Sequence, residues 1–340
     1  MKTEQRGGAL AVDDPRLAER VRAVFDQGRL LALPTETVYG LAAPIDRPDL
    51  VARVFELKGR PADNPLIVHV GTWEQARRVV SAWPEPAESL SRAFWPGPLT
   101  LVLPRAACVS DAITAGLDSV AVRMPDHPAA LAVLRALDVP LVAPSANLFT
   151  RLSPTCAADV RAVFSAEQVE VIDGGPCRVG IESTIVGVDD QRRVLLWLRP
   201  GMLARAEVAR HLPEGWRLAA APAGADESDP RLAPGRMQTH YRPTRPLHVH
   251  VCRDRAECER LADRFQRDAA RSLVVLPQSV EQAAGDLYRL LRAADTEGSQ
   301  TIDLLLPSQR LHDPAWEGVI NRLRKAASLW FQNTDRSKSD

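Results

Sequence analysis

The chain has 340 residues, 45% hydrophobic and 25% charged, and its 43 basic residues are balanced by 43 acidic ones to a formal net charge of zero. That balance excludes the global positive field that draws a protein onto nucleic acid or anionic lipid, and the length predicts two domains rather than one small core. No window holds the roughly 18 to 20 apolar residues of a membrane span, and the first residues, MKTEQRGGALAVDDP, lack an apolar signal core, so a cytoplasmic protein without membrane contact is expected.

In chain order, Asp14 as N-cap and Pro15 at the first helical position predict a helix burying Leu17, Val21, Val24 and Phe25 and ending at Gly28. Strand-like runs follow at 30–33, 66–70, 99–103, 120–124, 141–143, 169–172, 183–188 and 194–198, with helical patterns between them, one opening at Pro48. One sizeable twisted sheet with packed helices is implied, so the fold class is α/β. Residues 219–246 are rich in proline, glycine and charge with no apolar period, and read as a linker between a domain at 1–218 and a smaller one at 247–333. The second domain alternates strands at 247–251, 273–276 and 302–306 with helices near 256–271 and 284–294. A last helix carries Val319, Ile320, Leu323, Ala327 and Trp330. The order predicts a small parallel sheet, and no GxGxxG follows its first strand, so no nucleotide site is expected there.

Five cysteines, Cys108, Cys156, Cys177, Cys252 and Cys258, without CxxC spacing argue against a disulfide framework or a zinc site. Cys177, in a glycine-rich turn, reads as a small filler or as a reactive thiol.

Polar chemistry concentrates in a few places. Pro34-Thr35-Glu36-Thr37-Val38-Tyr39-Gly40-Leu41 sets two hydroxyls, a carboxylate and a phenol in one turn, which either caps the next segment or converges on a ligand. Lys58, Gly59 and Arg60 close a helix, and Asn64 and His69 follow. The two cations complement a helix dipole or, with the amide and imidazole, make a phosphate site. Arg123 interrupts an apolar strand and needs an anion, from a structural carboxylate or from a substrate. Ser145 and Asn147 lie in a small-residue turn after a strand, where open α/β sheets commonly bind ligands. Gly174 and Gly175 precede Gly180-Ile181-Glu182-Ser183-Thr184, and Arg199-Pro200-Gly201 closes the next strand.

Together PTETVYGL, KGRP with NPLIVH, VRMP, PSAN, GIESTIV and RPG stand in the order and approximate spacing of the Sua5/YciO/YrdC family of threonylcarbamoyl-adenylate synthases, which this chain resembles over about residues 10–206. The resemblance resumes at Ala233-Pro234-Gly235 and His240-Tyr241-Arg242-Pro243, and the tail with its NRLRKAA helix is similar to the two-domain Sua5 type. It implies a YrdC-like twisted open mixed sheet and a smaller Rossmann-like parallel domain. It also implies ATP near Lys58, Arg60, Asn64, Ser119, Ser145, Asn147, Ser153, Arg199 and Tyr241, with Lys58 and Arg60 as the catalytic pair. Threonine would meet Thr37, His69, Arg123, Ser183 and the backbone of Ala143. Ser119 and Ser153 fall outside the clearest motifs, and residues 235–239 depart from the common wording of the linker.

The reaction so implied joins L-threonine, bicarbonate and ATP for the modification of tRNA at position 37. Mg²⁺ would arrive with ATP, held largely by the triphosphate and water. The intermediate would pass to a TsaD/Kae1-type transferase, and RNA contact is not required. Two rivals remain: a carbamoyl-transfer enzyme on the same fold, which would resemble only the first domain, and a non-catalytic module for double-stranded RNA. The stretch from about Ala233 to Pro243, with Tyr241 and His240 at its tip, reads as a lid over the cavity or as an inert spacer.

Overall fold

The structure is a computed structural model describing residues 13–220, 240–295 and 298–332. The first part of the chain runs through α1 (Leu17–Asp26), β1 (Leu30–Leu33), β2 (Gly40–Pro44), α2 (Pro48–Lys58), β3 (Ile67–His69), α3 (Trp73–Arg78), α4 (Glu85–Phe94), β4 (Leu99–Pro104) and α5 (Asp111–Thr114). It continues with β5 (Ser119–Arg123), α6 (Pro128–Leu137), β6 (Leu141–Val142), α7 (Ala157–Arg161), β7 (Val169–Val171), β8 (Thr184–Asp189), β9 (Val194–Arg199), α8 (Arg205–Arg210) and β10 (Arg217–Ala220). These ten strands form one mixed sheet in the order β10-β9-β8-β4-β5-β3-β6-β2-β1-β7.

Burial explains the layering. β1 (LLAL) and β2 (GLAAP) are buried at every residue, as expected where helices cover a sheet. Val21 and Val24 of α1 and Val133 and Leu134 of α6 share one core with Leu31, Val68 and Val122. Local chemistry fixes the helix ends: Pro128 opens α6 with His127 Nδ1 accepting the Ala129 N–H at 3.1 Å, and α2 stops at Gly59, whose φ of 60° is cheap only without a Cβ.

The second part holds β11 (Leu247–Cys252), α9 (Arg255–Gln266), β12 (Arg271–Val275), α10 (Val280–Ala294), β13 (Thr301–Pro307), α11 (Glu317–Ala326) and β14 (Leu329–Gln332). Its strands are all parallel, in the order β12-β13-β11-β14. Leu287 of α10 and Leu323 of α11 cover one face against Val249 and Leu304, while Phe265 of α9 packs against Cys252 and Leu305 on the other. The two parts are joined tightly: Val38, Leu152 and Ile181 belong to the same apolar cluster as Tyr288 and Val319.

Several expectations shift. Asp14 does not cap α1: Arg16 holds that position, and Asp14 instead accepts the Arg16 N–H and pairs with Arg20 at 2.9 Å. α10 begins at Val280 because the Ser279 hydroxyl accepts the Gln282 N–H, and α9 ends at Gln266. The last helix stops at Ala326, Ala327 is extended with ψ of 134°, and Trp330 lies in β14 beside Val249 rather than on a helical face. β2, β10 and β14 were not foreseen.

Candidate active site

Alternation along the central strands builds the site's floor. In β5, Val120 and Val122 enter the helix-covered core, while Ala121 joins a separate cluster with Ile67 and Ile185 on the opposite face. Ser119 and Arg123 therefore share the face of Ala121, and His69 shares that of Ile67. Here a cleft opens, lined by Thr37, Arg60, His69, Arg123 and Ala143 and, across from them, by Ser145, Ser183, Arg199 and Tyr241. Thr35, Glu182 and His240 complete the wall. The cavity measures about 50 Å³, room for a few water molecules.

Arg60 carries the clearest signal. Its guanidinium donates to Asn64 O at 3.1 Å, Asn64 Oδ1 at 2.5 Å and Pro65 O at 2.8 Å, so among the described residues its hydrogen-bond acceptors are all uncharged. Burial, aided by Arg199, brings its pKa down to about 9. Arg199 donates to Ser183 O at 3.0 Å and to Ser183 Oγ at 3.1 Å, and that hydroxyl also meets Thr100 Oγ1 at 2.7 Å. Burial lowers the Arg199 pKa as well.

Arg123 has found a structural carboxylate. Its Nη2 lies 2.6 Å from Glu36 Oε1, with both side chains almost fully buried, and Nη1 donates to Thr37 Oγ1 at 2.8 Å. The Nη2 and Oε1 groups are close but not aligned as a hydrogen bond, so their attraction is mainly Coulombic. Glu36 thus holds Arg123, whose Nε donates to Gly97 O at 3.2 Å, and Arg123 lines the cleft. His69 is buried beside Arg123, and burial first, then that positive charge, push its pKa down to about 3. At neutral pH it is an uncharged imidazole.

Lys58 does not line the cleft. Its Nζ donates to Ser145 O at 2.5 Å and Asn147 O at 2.6 Å, fastening the turn from beneath, and burial and then Arg60 push its pKa well below the usual lysine range. Asn64 holds Arg60. The Asn147 amide donates to Leu148 O and Arg151 O, while its Oδ1 is buried without a hydrogen-bond partner among the described residues. Ser153 donates to Glu182 Oε1 at 2.6 Å. Ser119 sits at the far end of β5, roughly 13 Å from Arg123 at the usual rise per residue.

Tyr241 and His240 do reach the cleft, buried to 1% and 5% exposure, with their rings 4.1 Å apart. Residues 233–239 of the expected lid lie outside the described residues. Burial, above all, takes the His240 pKa down to about 3. Cys177 is buried, and its thiol pKa is pushed up by burial and then by Glu36, which fits a packed filler and not a nucleophile.

The family model described as "Telomere recombination", Sua5_yciO_yrdC, matches residues 23–201, more than half of the chain. The chain belongs to the Sua5/YciO/YrdC family. A second model, for the C-terminal domain of threonylcarbamoyl-AMP synthase, matches residues 201–328, so the chain has the two-domain Sua5 form. It is 40% identical to the threonylcarbamoyl-AMP synthase of Pyrococcus abyssi over 91% of this chain and 93% of that one. With the Bacillus subtilis enzyme of the same name it shares 35% identity over 94% of both. The crystal structure of P. abyssi Sua5 complexed with L-threonine superposes with a TM-score of 0.80 at 37% identity, covering 92% of this chain and 96% of that one. Both expected sheets of the Sua5 form are therefore present, the large mixed one and the small parallel one.

Proposed function

We propose that this chain is a threonylcarbamoyl-AMP synthase, joining L-threonine, bicarbonate and ATP with release of diphosphate and water, in support of tRNA modification at position 37. The observation that carries this is Arg60: a half-buried guanidinium whose hydrogen-bond acceptors are all neutral, facing the same cleft as Arg199, suits a polyanion. The β5 face suits the rest of ATP, because Ile67, Ala121 and Ile185, with Val102 and Leu198 beside them, make an apolar platform between Ser119 and the cations. Adenine would lie on that platform, with Ser119, Ser145 and Asn147 around it, and the triphosphate would run to Arg60 and Arg199. Lys58 would act at one remove, by fixing the Ser145 turn.

Threonine would sit at the other end, its carboxylate on Arg123 and its hydroxyl and amine among Thr37, His69, Ser183 and the Ala143 backbone. A neutral His69 can exchange a hydrogen bond there without adding a further positive charge to the three arginines. The amine captures carbon dioxide from bicarbonate as a carbamate, and a carbamate oxygen attacks the α-phosphorus, expelling diphosphate. The chain's part is placement and stabilisation of the growing negative charge.

Mg²⁺ would come with the triphosphate. Glu182 is the only carboxylate among the cleft-lining residues described, and Arg322, Ser153 and Tyr288 already engage it. No cluster of three metal-ligating side chains occurs among the described residues, so no step is assigned to a protein-held metal. A cavity of about 50 Å³ cannot hold both substrates, and His240 and Tyr241 would move aside to admit them and return to exclude water from the reactive mixed anhydride. The product would pass to a TsaD/Kae1-type transferase in the cytoplasm, with RNA contact not required. The test is diphosphate release: it should require threonine and bicarbonate together with ATP, and release indifferent to threonine would sink the reading.

A further inference from the structure

Arg322 is among the largest fully buried side chains of the described residues, and it lies on α11, in the second domain. Its Nε donates to Glu182 Oε2 at 2.7 Å and its Nη2 to the Glu182 carbonyl at 3.0 Å. Its Nη1 donates to the Pro200 carbonyl at 2.7 Å. Glu182 immediately precedes Ser183, and Pro200 immediately follows Arg199, so one guanidinium holds both ends of the cleft wall that β8 and β9 supply. The second oxygen of Glu182 accepts from Ser153, and Tyr288 of α10 donates to the same carboxylate at 3.0 Å. The Tyr241 ring lies 5.3 Å from the guanidinium carbon, which ties the lining aromatic to the same point.

Two close backbone approaches keep this contact in register. A Cβ on Gly318, four residues before Arg322, would press on the Gly201 carbonyl, and one on Gly180 would meet Gly285 Cα of α10 at 2.5 Å. Nothing but hydrogen fits at either place.

We infer that Arg322 is a positioning residue for the adenylation site: the second domain sets the geometry of Ser183, Arg199 and Ser153 by clamping Glu182 and Pro200. This rests on the synthase reading above. Burial tends to raise the Glu182 pKa, but Arg322 and Arg199 outweigh it and hold the carboxyl at about 2, so it stays ionised and clamped throughout the working range. Removing the cation leaves burial in command, and the carboxyl then titrates nearer neutrality.

The test compares wild type, Arg322→Met, Arg322→Lys, Glu182→Gln and the Arg322→Met/Glu182→Gln double variant in threonine-dependent diphosphate release, across pH. Arg322→Met should lower kcat/KM about 100-fold, the scale of a small misplacement at a reacting centre, and its pH profile should gain an ionisation at about pH 6–8. That ionisation should vanish in the double variant. Arg322→Lys, which keeps charge but cannot span three acceptors, should lose about 10-fold with a nearly unchanged melting temperature. Separately from turnover, amide hydrogen exchange in residues 182–200 should speed up in both Arg322 variants. If Arg322→Met does not fold, Arg322→Lys and Glu182→Gln supply the same comparison. Unchanged exchange at 182–200, with pH profiles of one shape in every variant and losses that only track melting temperature, overturns the inference. If wild type releases no diphosphate with threonine, the synthase reading fails, and the exchange measurement alone decides the role of Arg322.

Discussion

Two charges, Asp303 within the small sheet and Arg60 beside the large one, are treated in opposite ways. Asp303, central in the four-stranded sheet, is fully enclosed and receives His250 Nε2 at 2.7 Å, Arg271 Nη1 at 2.8 Å and the Thr301 hydroxyl at 2.8 Å. Burial would raise its pKa, yet these partners bring it below the usual carboxylate value. Arg60, beside the ten-stranded sheet, has three neutral acceptors and a pKa drawn down to about 9. The chain satisfies the first charge from its own residues and leaves the second short of an anion. Asp303, completed from within, is architecture, whereas Arg60, left with neutral acceptors, is prepared for a ligand.

Experiments can break that distinction. The largest effect is expected from Arg60→Ala, which should slow threonine-dependent diphosphate release by about 3 kcal/mol in transition-state energy, as for loss of one preorganised donor. Its melting temperature should hold, and a variant that unfolds instead would make Arg60 structural. Asp303→Ala should do the reverse, lowering stability by about 2 to 3 kcal/mol in urea titration, short of the full cost of breaking a buried pair because Arg271 is part-exposed and can rehydrate. Its kcat/KM should be unchanged, and a catalytic defect at a temperature where it is folded would contradict the assignment.

Acid sharpens the same contrast. His69 and His240 stay neutral when folded, with pKa values of about 3, but take up protons near pH 6.5 when unfolded. The unfolded state therefore binds more protons between about pH 6.5 and 3, and stability falls as pH drops through that window, by about 2 kcal/mol per histidine at pH 5. Glu182, with its carboxyl held at about 2, loses its contribution only below about pH 4.5. Each of the two histidines thus adds about 2 kcal/mol to the loss between pH 7 and 5, and His240→Gln should remove one such share in calorimetric scans. The smallest effect serves as a control: Ser279→Ala removes the cap of α10 and should cost about 1 kcal/mol of stability, with no change in diphosphate release.

How much could be read from the sequence depended on how local the cause was. β1, β4 and β9 are apolar runs bounded by turns, and their reading needed nothing beyond the run itself. β2 escaped because GLAAP has no β-branched residue. Its Gly40 is there for close approach, since a Cβ would come within 2.9 Å of Ala143 Cβ. Trp330 matched a helical period by chance, and pairing of β14 with β11 overrode it. At the site, Thr37, Arg60, His69, Arg123, Ser145, Ser183 and Arg199 line the cleft and all lie in the family motifs. The partner of Arg123 was not legible: Glu36 lies 87 positions earlier, and only the folded sheet brings them together. Arg322 left a signal that went unread, since it falls between Val319 and Leu323 on the buried side of α11, where an arginine must have an anion. Its anion, Glu182, lies in GIESTIV, 140 positions earlier.

The glycine contacts at Gly201–Gly318 and Gly180–Gly285 make the seam between the two parts a hinge with no slack. Any side chain grafted onto Gly318 becomes a wedge, and because Arg322 sits one helical turn farther along α11, prying the seam apart draws the guanidinium away from Glu182 and Pro200 together. Exchanging the second domain for that of another relative is thus a matter of machining tolerance: a chimera should work only where both faces of the seam are equally bare.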